Sequence, residues 1–148
     1  MALLGRMVVV LFAFLMACLV AAIVLQVCIL MPFWGARAAP DFGEGFFQLL
    51  VGVSFFVIAL LALLPAIAVI AVAEAFRLRS VVFYAAAGGL LALALCHGMG
   101  FTAAAPDVAM APWLEVFAAS GIVAGLAYWL ITGRNAGRWC ERPAPPPR

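Results

Sequence analysis

The sequence predicts an all-α membrane protein, built as an antiparallel bundle of four transmembrane helices with both termini in the cytoplasm. Hydrophobic residues make up 70% of the 148 residues and charged residues only 9%, whereas a soluble domain carries about a quarter charged residues. Four apolar stretches reach the length of about 20 residues that a spanning helix needs. The arginines also cluster at one side of the predicted membrane, which indicates a defined orientation.

The four predicted spans cover about residues 7–31, 46–72, 81–100 and 113–132, within one transmembrane domain over residues 1–132. Backbone polar groups in lipid must be satisfied within the chain, so each stretch is expected to be a helix. Pro32 ends the first span, which at 25 residues is too long for a signal peptide's apolar region. It is therefore expected to stay as an anchor. Residues 133–148 are expected to form a basic, proline-rich cytoplasmic tail.

Prolines and charges define the remaining elements. Pro65 lies within the second span, where a static bend is the favoured interpretation and a hinge the alternative. The short connection between the second and third spans predicts that these helices are neighbours. Pro112 suits the first helical position of the fourth span, and Glu115, expected in the first turn of that helix, would complement the positive end of its dipole.

The distribution of arginine predicts the orientation. With the N-terminus inside, only Arg37 falls outside, and the inner segments hold Arg6, Arg77, Arg79, Arg134, Arg138, Arg142 and Arg148. Enrichment of basic residues on the cytoplasmic side sets topology. The residues expected to anchor it are Glu74, Arg77, Arg79, Arg134 and Arg138. Because Glu74 and Arg77 are three residues apart, they are expected to pair on continuing helix.

Small residues mark the predicted contact faces between helices, because association in a bilayer depends on close packing. Every span has such a face, and the positions expected to pack are Gly52, Ala59, Gly89, Gly121 and Gly125. Gly121 and Gly125 form a GxxxG pair. The sequence leaves open whether this pair packs within one bundle or joins two copies.

Few residues suggest chemistry. Lysine is absent, and no Asp, Glu or Arg lies in the middle of a span, so a proton-coupled carrier is not expected. His97 with Met99 could ligate haem, and Cys28, Met31, Cys96 and His97 could bind copper at the outer side. Cys28 and Cys96 could instead form a disulfide. Packing is the favoured interpretation of these residues, with no catalytic site, metal or cofactor.

The segments AEAFRLRSVVFYAAAGG (73–89) and GLAYWLITGRNAGRW (125–139) resemble small four-span inner-membrane proteins of bacteria whose function is uncharacterised. The resemblance implies a location in a bacterial inner membrane. It carries over no catalytic or binding residue.

From these observations we expect a non-enzymatic accessory, assembly or scaffold subunit that acts through helix–helix contacts. Its expected partners are the lipid bilayer and either further copies or a larger membrane complex, and no nucleic acid. Two alternatives stay open. One is a redox, metal-handling or haem-handling subunit that uses His97 with the nearby cysteines and methionines. The other is a passive channel or carrier for an uncharged solute.

Overall fold

The structure is a computed structural model that describes residues 2–30, 44–76, 78–100 and 111–132. Within these ranges the regular structure consists of four helices, α1 (Ala2–Leu30), α2 (Glu44–Ala75), α3 (Val81–Gly98) and α4 (Ala111–Ile131). Each includes a stretch long and apolar enough to cross a membrane. At 1.5 Å per residue the helices are roughly 43, 48, 27 and 31 Å long, against a hydrocarbon core of about 30 Å. The fold is consistent with a multi-pass membrane protein.

Most helix ends differ from the predicted spans. Helix α1 begins at Ala2, five residues before the predicted start, and α4 begins at Ala111, one residue before Pro112, the predicted first helical position. Helix α2 passes through Pro65 and continues to Ala75, three residues beyond the predicted end at Val72. Helix α4 begins at Ala111, so its first turn contains no acidic residue. The dipole role predicted for Glu115 is therefore wrong, because this carboxylate lies in the second turn. The predicted outer loops, with Met31 and the stop at Pro32, and the tail 133–148 lie outside the described residues.

Backbone geometry explains both ends of α3. Ser80 precedes the helix in an extended conformation, with φ −71° and ψ 127°. At the other end Gly100 adopts a φ of +77°, which glycine tolerates without the steric cost that a side chain brings. Its N–H donates to the carbonyl oxygen of His97 at 3.0 Å. This left-handed glycine closes the helix in the usual way.

The helices contact one another unequally. The most extensive contact joins α3 to α4, followed by α1 with α4 and α1 with α2, and the contact between α2 and α3 is the smallest of these four. The short connection after α2 predicted close neighbours, yet it brings these two helices together only weakly. The bundle is therefore built around the α3–α4 pair, with α1 packed mainly against α4, and α2 attached mainly through α1.

Helix α1 supplies the centre of the bundle. Of its most apolar eighteen residues, 39% are buried, compared with 22% in α3, 22% in α4 and 6% in α2. Ala13, Ala17 and Ala21 lie at four-residue spacing and are all buried, since residues four apart share one helix face. Small side chains on this face let α2 and α4 approach α1 closely. Helix α2, by contrast, presents most of its surface outward.

Candidate functional site

Glycines bring the backbones of α3 and α4 into direct contact. A Cβ atom added to Gly121 would lie 2.3 Å from the carbonyl oxygen of Gly88, and one added to Gly125 would lie 2.1 Å from that of Tyr84. Both distances are far shorter than ordinary carbon–oxygen contacts of about 3.3 Å or more. The GxxxG pair of α4 therefore packs within one chain, against α3. Sequence analysis singled out Gly89 on α3, whereas Gly88 makes the closest backbone approach.

The other predicted packing positions lack a backbone contact this close. A Cβ at Gly89 would meet the side chain of Ile122 at 3.0 Å, so that glycine contacts a flexible group. Ala59 is partly buried and packs against the core. Gly52 is exposed, and a Cβ placed there would meet no atom within 4 Å among the described residues. Among the small residues of α2, Ala73 is thus covered, at 1% exposed, whereas Gly52 is open.

An ion pair joins the beginning of α1 to the end of α2. The guanidinium Nη2 of Arg6 donates to the carboxylate Oε1 of Glu74 at 2.5 Å, across 68 residues of sequence. Both side chains are 20% exposed, so the pair is largely shielded from solvent. The sequence placed both residues at the same membrane face but predicted Arg77 as the partner of Glu74. Arg77 lies outside the described residues, as do Arg134 and Arg138.

Two tyrosines lie beside this ion pair. The rings of Tyr84 on α3 and Tyr128 on α4 have centroids 5.6 Å apart, within the range of favourable aromatic contacts. All four helices therefore contribute a polar side chain to this end of the bundle.

A tryptophan fixes the connection between α2 and α3 to α4 at the same end. The indole Nε1–H of Trp129 donates to the carbonyl oxygen of Arg79 at 2.9 Å. The Arg79 side chain is exposed, and its role as a topology anchor stays a prediction. The hydrogen bond attaches the short connection to α4, in addition to the two helices that flank it.

A polar contact joins α1 and α2 towards the opposite end. Gln26 is 6% exposed, and its Nε2 donates to the hydroxyl oxygen of Ser54 at 2.5 Å. Sequence analysis missed this pair, although a glutamine within an apolar span is a detectable signal. Polar side chains in spanning helices commonly hydrogen-bond across to a neighbouring helix. Together with the Arg6–Glu74 pair, this contact fixes α1 along α2 at two widely separated levels.

The described residues among the predicted alternative ligands differ in exposure. Cys96 is 1% exposed, whereas His97, in the last turn of α3, and Met99, directly after its end, are exposed. Cys28 is half-buried, and the thiols of Cys28 and Cys96 are both free. Met31 lies outside the described residues. Within the described part of the chain, no three His, Cys, Asp or Glu residues are arranged to hold a metal ion.

Two apolar spaces lie between the helices. A cavity of about 150 Å³ is lined by all four helices, from Tyr84 and Tyr128 at one end to Leu25 and Met99 at the other. A larger groove of about 600 Å³ lies between α1 and α2, and Arg6 and Glu74 are part of its lining.

Comparison of the chain with protein-family models, curated proteins and solved structures finds no match. The class of protein is therefore inferred from the fold and the contacts described above. The chain is all-helical over its described residues, with four helices suited to crossing a membrane.

Proposed function

We propose that this chain is a multi-pass protein of the bacterial inner membrane, an antiparallel four-helix bundle with both termini in the cytoplasm. The direction of the helices is supported by the contacts that join Arg6 to Glu74 and Gln26 to Ser54, which pair early α1 with late α2 and late α1 with early α2. The orientation rests on the excess of arginine at the Arg6 end. Alkaline phosphatase fused after residue 148 should be inactive, and activity there would contradict this orientation.

Within that membrane the protein acts as a non-enzymatic accessory, assembly or scaffold subunit, through helix–helix contacts of α2. The observation that carries this proposal is the open position at Gly52. A glycine inside a helix costs about 1 kcal/mol relative to alanine, and a close backbone approach offsets that cost. Gly88, Gly121 and Gly125 each have such an approach within the chain.

Gly52 has no neighbour within 4 Å of its Cβ direction in the described chain, although it lies well inside α2. Around it, Leu49 is 62% and Phe56 is 66% exposed. In lipid an exposed leucine or phenylalanine is unremarkable, because the acyl chains are equally apolar. A glycine flanked by large apolar side chains is different, since it forms a notch that suits a second helix. The proposed occupant is a spanning helix of another copy or of a larger complex.

The experiment is native mass spectrometry of the full chain, extracted gently from its own membranes, for wild type, Gly52→Leu and a control. The control is Ala68→Leu, another exposed small residue of α2 that lies about 160° around the helix from Gly52 at 3.6 residues per turn. Gly52→Leu should release the partner chain, whereas Ala68→Leu should retain it. If wild type and both variants carry the same partners, the scaffold role of this face is wrong.

A further inference from the structure

The cavity at the centre of the bundle has room for a small ligand and has no charged side chain of its own. Its volume is about 150 Å³, and side chains of all four helices line it. Small residues such as Ala17, Ala62 and Ala92 provide much of the room. Among the described residues, no Asp, Glu, Lys, Arg or His lines the cavity. An ion placed there would lose its hydration without gaining a counter-charge, so a ligand that fits is uncharged.

The least closed wall of this cavity lies between α2 and α3. Helix α2 lines it from Val57 to Ile70 and α3 from Tyr84 to Leu95, over roughly 20 and 17 Å at 1.5 Å per residue. The direct contact between these two helices is nevertheless the smallest of the four described above. In a bilayer the seam between α2 and α3 borders the acyl chains. A ligand that enters through it must therefore dissolve in lipid.

The hydroxyl side chains of the lining differ in whether their hydrogen bonds are used. The hydroxyl of Ser120 donates to the carbonyl oxygen of Phe117 at 2.8 Å. Tyr84 and Tyr128 are 5% and 8% exposed, and within the described part of the chain they make ring contacts but no hydrogen bond through the hydroxyl. Buried tyrosine hydroxyls usually have a hydrogen-bond partner. Neither of these two hydroxyls is completely enclosed, so a ligand can reach it.

The direction of Tyr128 places its hydroxyl on the side of the cavity. Side chains on a helix tilt towards the N-terminus of that helix, so Tyr128 reaches back along α4. Ala124 and Ser120, one and two turns earlier, line the cavity. Tyr84 is in the first turn of α3, and the same tilt directs it towards the start of α3, away from the rest of the lining. Tyr128 is therefore the hydrogen-bond donor of the cavity, and Tyr84 closes its end.

We propose that this cavity binds the ring of a membrane quinone. A quinone has a flat ring, carbonyl oxygens that accept hydrogen bonds, no charge and a long apolar tail, and each of these properties matches a feature of the cavity. An apolar cavity of about 150 Å³ in another protein accepts benzene, so there is room for one six-membered ring. One ring carbonyl accepts from the hydroxyl of Tyr128, and the tail leaves between α2 and α3. The site is separate from Gly52, so the proposal does not depend on the scaffold role.

The test uses the full-length protein in nanodiscs of phosphatidylethanolamine and phosphatidylglycerol, loaded with equal amounts of two probes and followed by native mass spectrometry of the retained probe. Decylubiquinone has a benzoquinone ring with a ten-carbon tail, and decylbenzene has a tail of the same length on a ring without carbonyls. Tyr128→Phe removes the hydroxyl but keeps the ring, and Tyr84→Phe is its matched control. Val69→Trp fills the cavity from α2. Val72→Trp is the control for it, because Val72 is on the same helix, is 44% exposed and does not line the cavity.

Wild type should retain one decylubiquinone in preference to decylbenzene. Tyr128→Phe should lower that preference several-fold, and Tyr84→Phe should leave it unchanged. Val69→Trp should lower the occupancy of both probes several-fold, whereas Val72→Trp should keep the occupancy of wild type. Equal retention of the two probes by wild type overturns the proposal, as do equal effects of the two phenylalanine variants or of the two tryptophan variants. Retention of a phospholipid in place of decylubiquinone, lost only in Val69→Trp, also overturns it.

Discussion

Substitution of Gly125 by alanine should separate α3 from α4, because the added Cβ has no room. That atom would lie 2.1 Å from the carbonyl oxygen of Tyr84 and 2.9 Å from its carbonyl carbon. Carbon–oxygen contacts settle at roughly 3.3 Å or more, so the backbones must move apart by about 1.2 Å. The obstacle is backbone on both sides, which cannot rotate away as a side chain can.

The magnitude follows from the cost of overpacking. Extra carbon atoms in a well-packed core typically cost about 1–3 kcal/mol. The α3–α4 contact is the most extensive in the bundle, and Gly125 meets the backbone of Tyr84 and Ala85 there, so we expect a loss of about 1–3 kcal/mol in the free energy of unfolding. Gly52→Ala is the matched control. It introduces the same atom into open space and should stabilise the single chain by about 0.5–1 kcal/mol through helix propensity.

The assay is unfolding of the two variants and wild type in mixed micelles of a mild detergent and dodecyl sulfate, followed by circular dichroism. The predicted effects have opposite signs, which separates packing from a general effect of replacing glycine. A free energy of unfolding for Gly125→Ala within about 0.5 kcal/mol of wild type would refute the close approach of α3 and α4.

Two further predictions concern the polar contacts of α1. Gln26→Leu should lower the free energy of unfolding by about 0.6 kcal/mol, and by no more than about 1.7 kcal/mol. A double-mutant cycle with Ser54→Ala in the same assay should show that the two effects are coupled. Strictly additive effects would contradict the hydrogen bond. Glu74→Gln leaves the charge of Arg6 without its counter-charge and should cost about 1.5–3 kcal/mol. The charge-exchanged double variant, Arg6→Glu with Glu74→Arg, should recover most of that loss. If this double variant is no more stable than Glu74→Gln, the two residues do not form a direct ion pair.

The sequence predicts that four helices exist because length and hydropathy are local properties. It is less informative about where helices end, as α2 shows. Its predicted span stopped at Val72 before the first charge, whereas the helix continues past Glu74. A charge is acceptable there because Arg6, supplied by another helix, compensates it. That compensation comes from a residue 68 positions away and has no local signature.

The partners of each helix face are equally non-local. The pattern of small residues on α3 favoured a stripe through Gly89, but a stripe predicts only that some helix approaches closely. Gly88 and Gly89 both face α4, and the rotation of α3 decides which of them meets its backbone. That contact belongs to Gly88, while Gly89 meets the side chain of Ile122. Gln26 could have been noticed as a polar residue in an apolar span. Its partner Ser54 could not have been identified without the arrangement of α1 and α2.

The order of the helix contacts has a consequence for how the chain is made. Ribosomes deliver α1 and α2 to the membrane first, and the Arg6–Glu74 and Gln26–Ser54 contacts allow these two to associate before the rest of the protein exists. The buried face of α1 that packs against α4 meanwhile has only lipid as its neighbour. Synthesis interrupted after α3 would therefore leave the surface of α1 uncovered and the glycines of α3 without the backbone they pack against. Such an incomplete chain differs from the finished one along both of these surfaces, which gives membrane proteases and insertion factors a physical basis for distinguishing them.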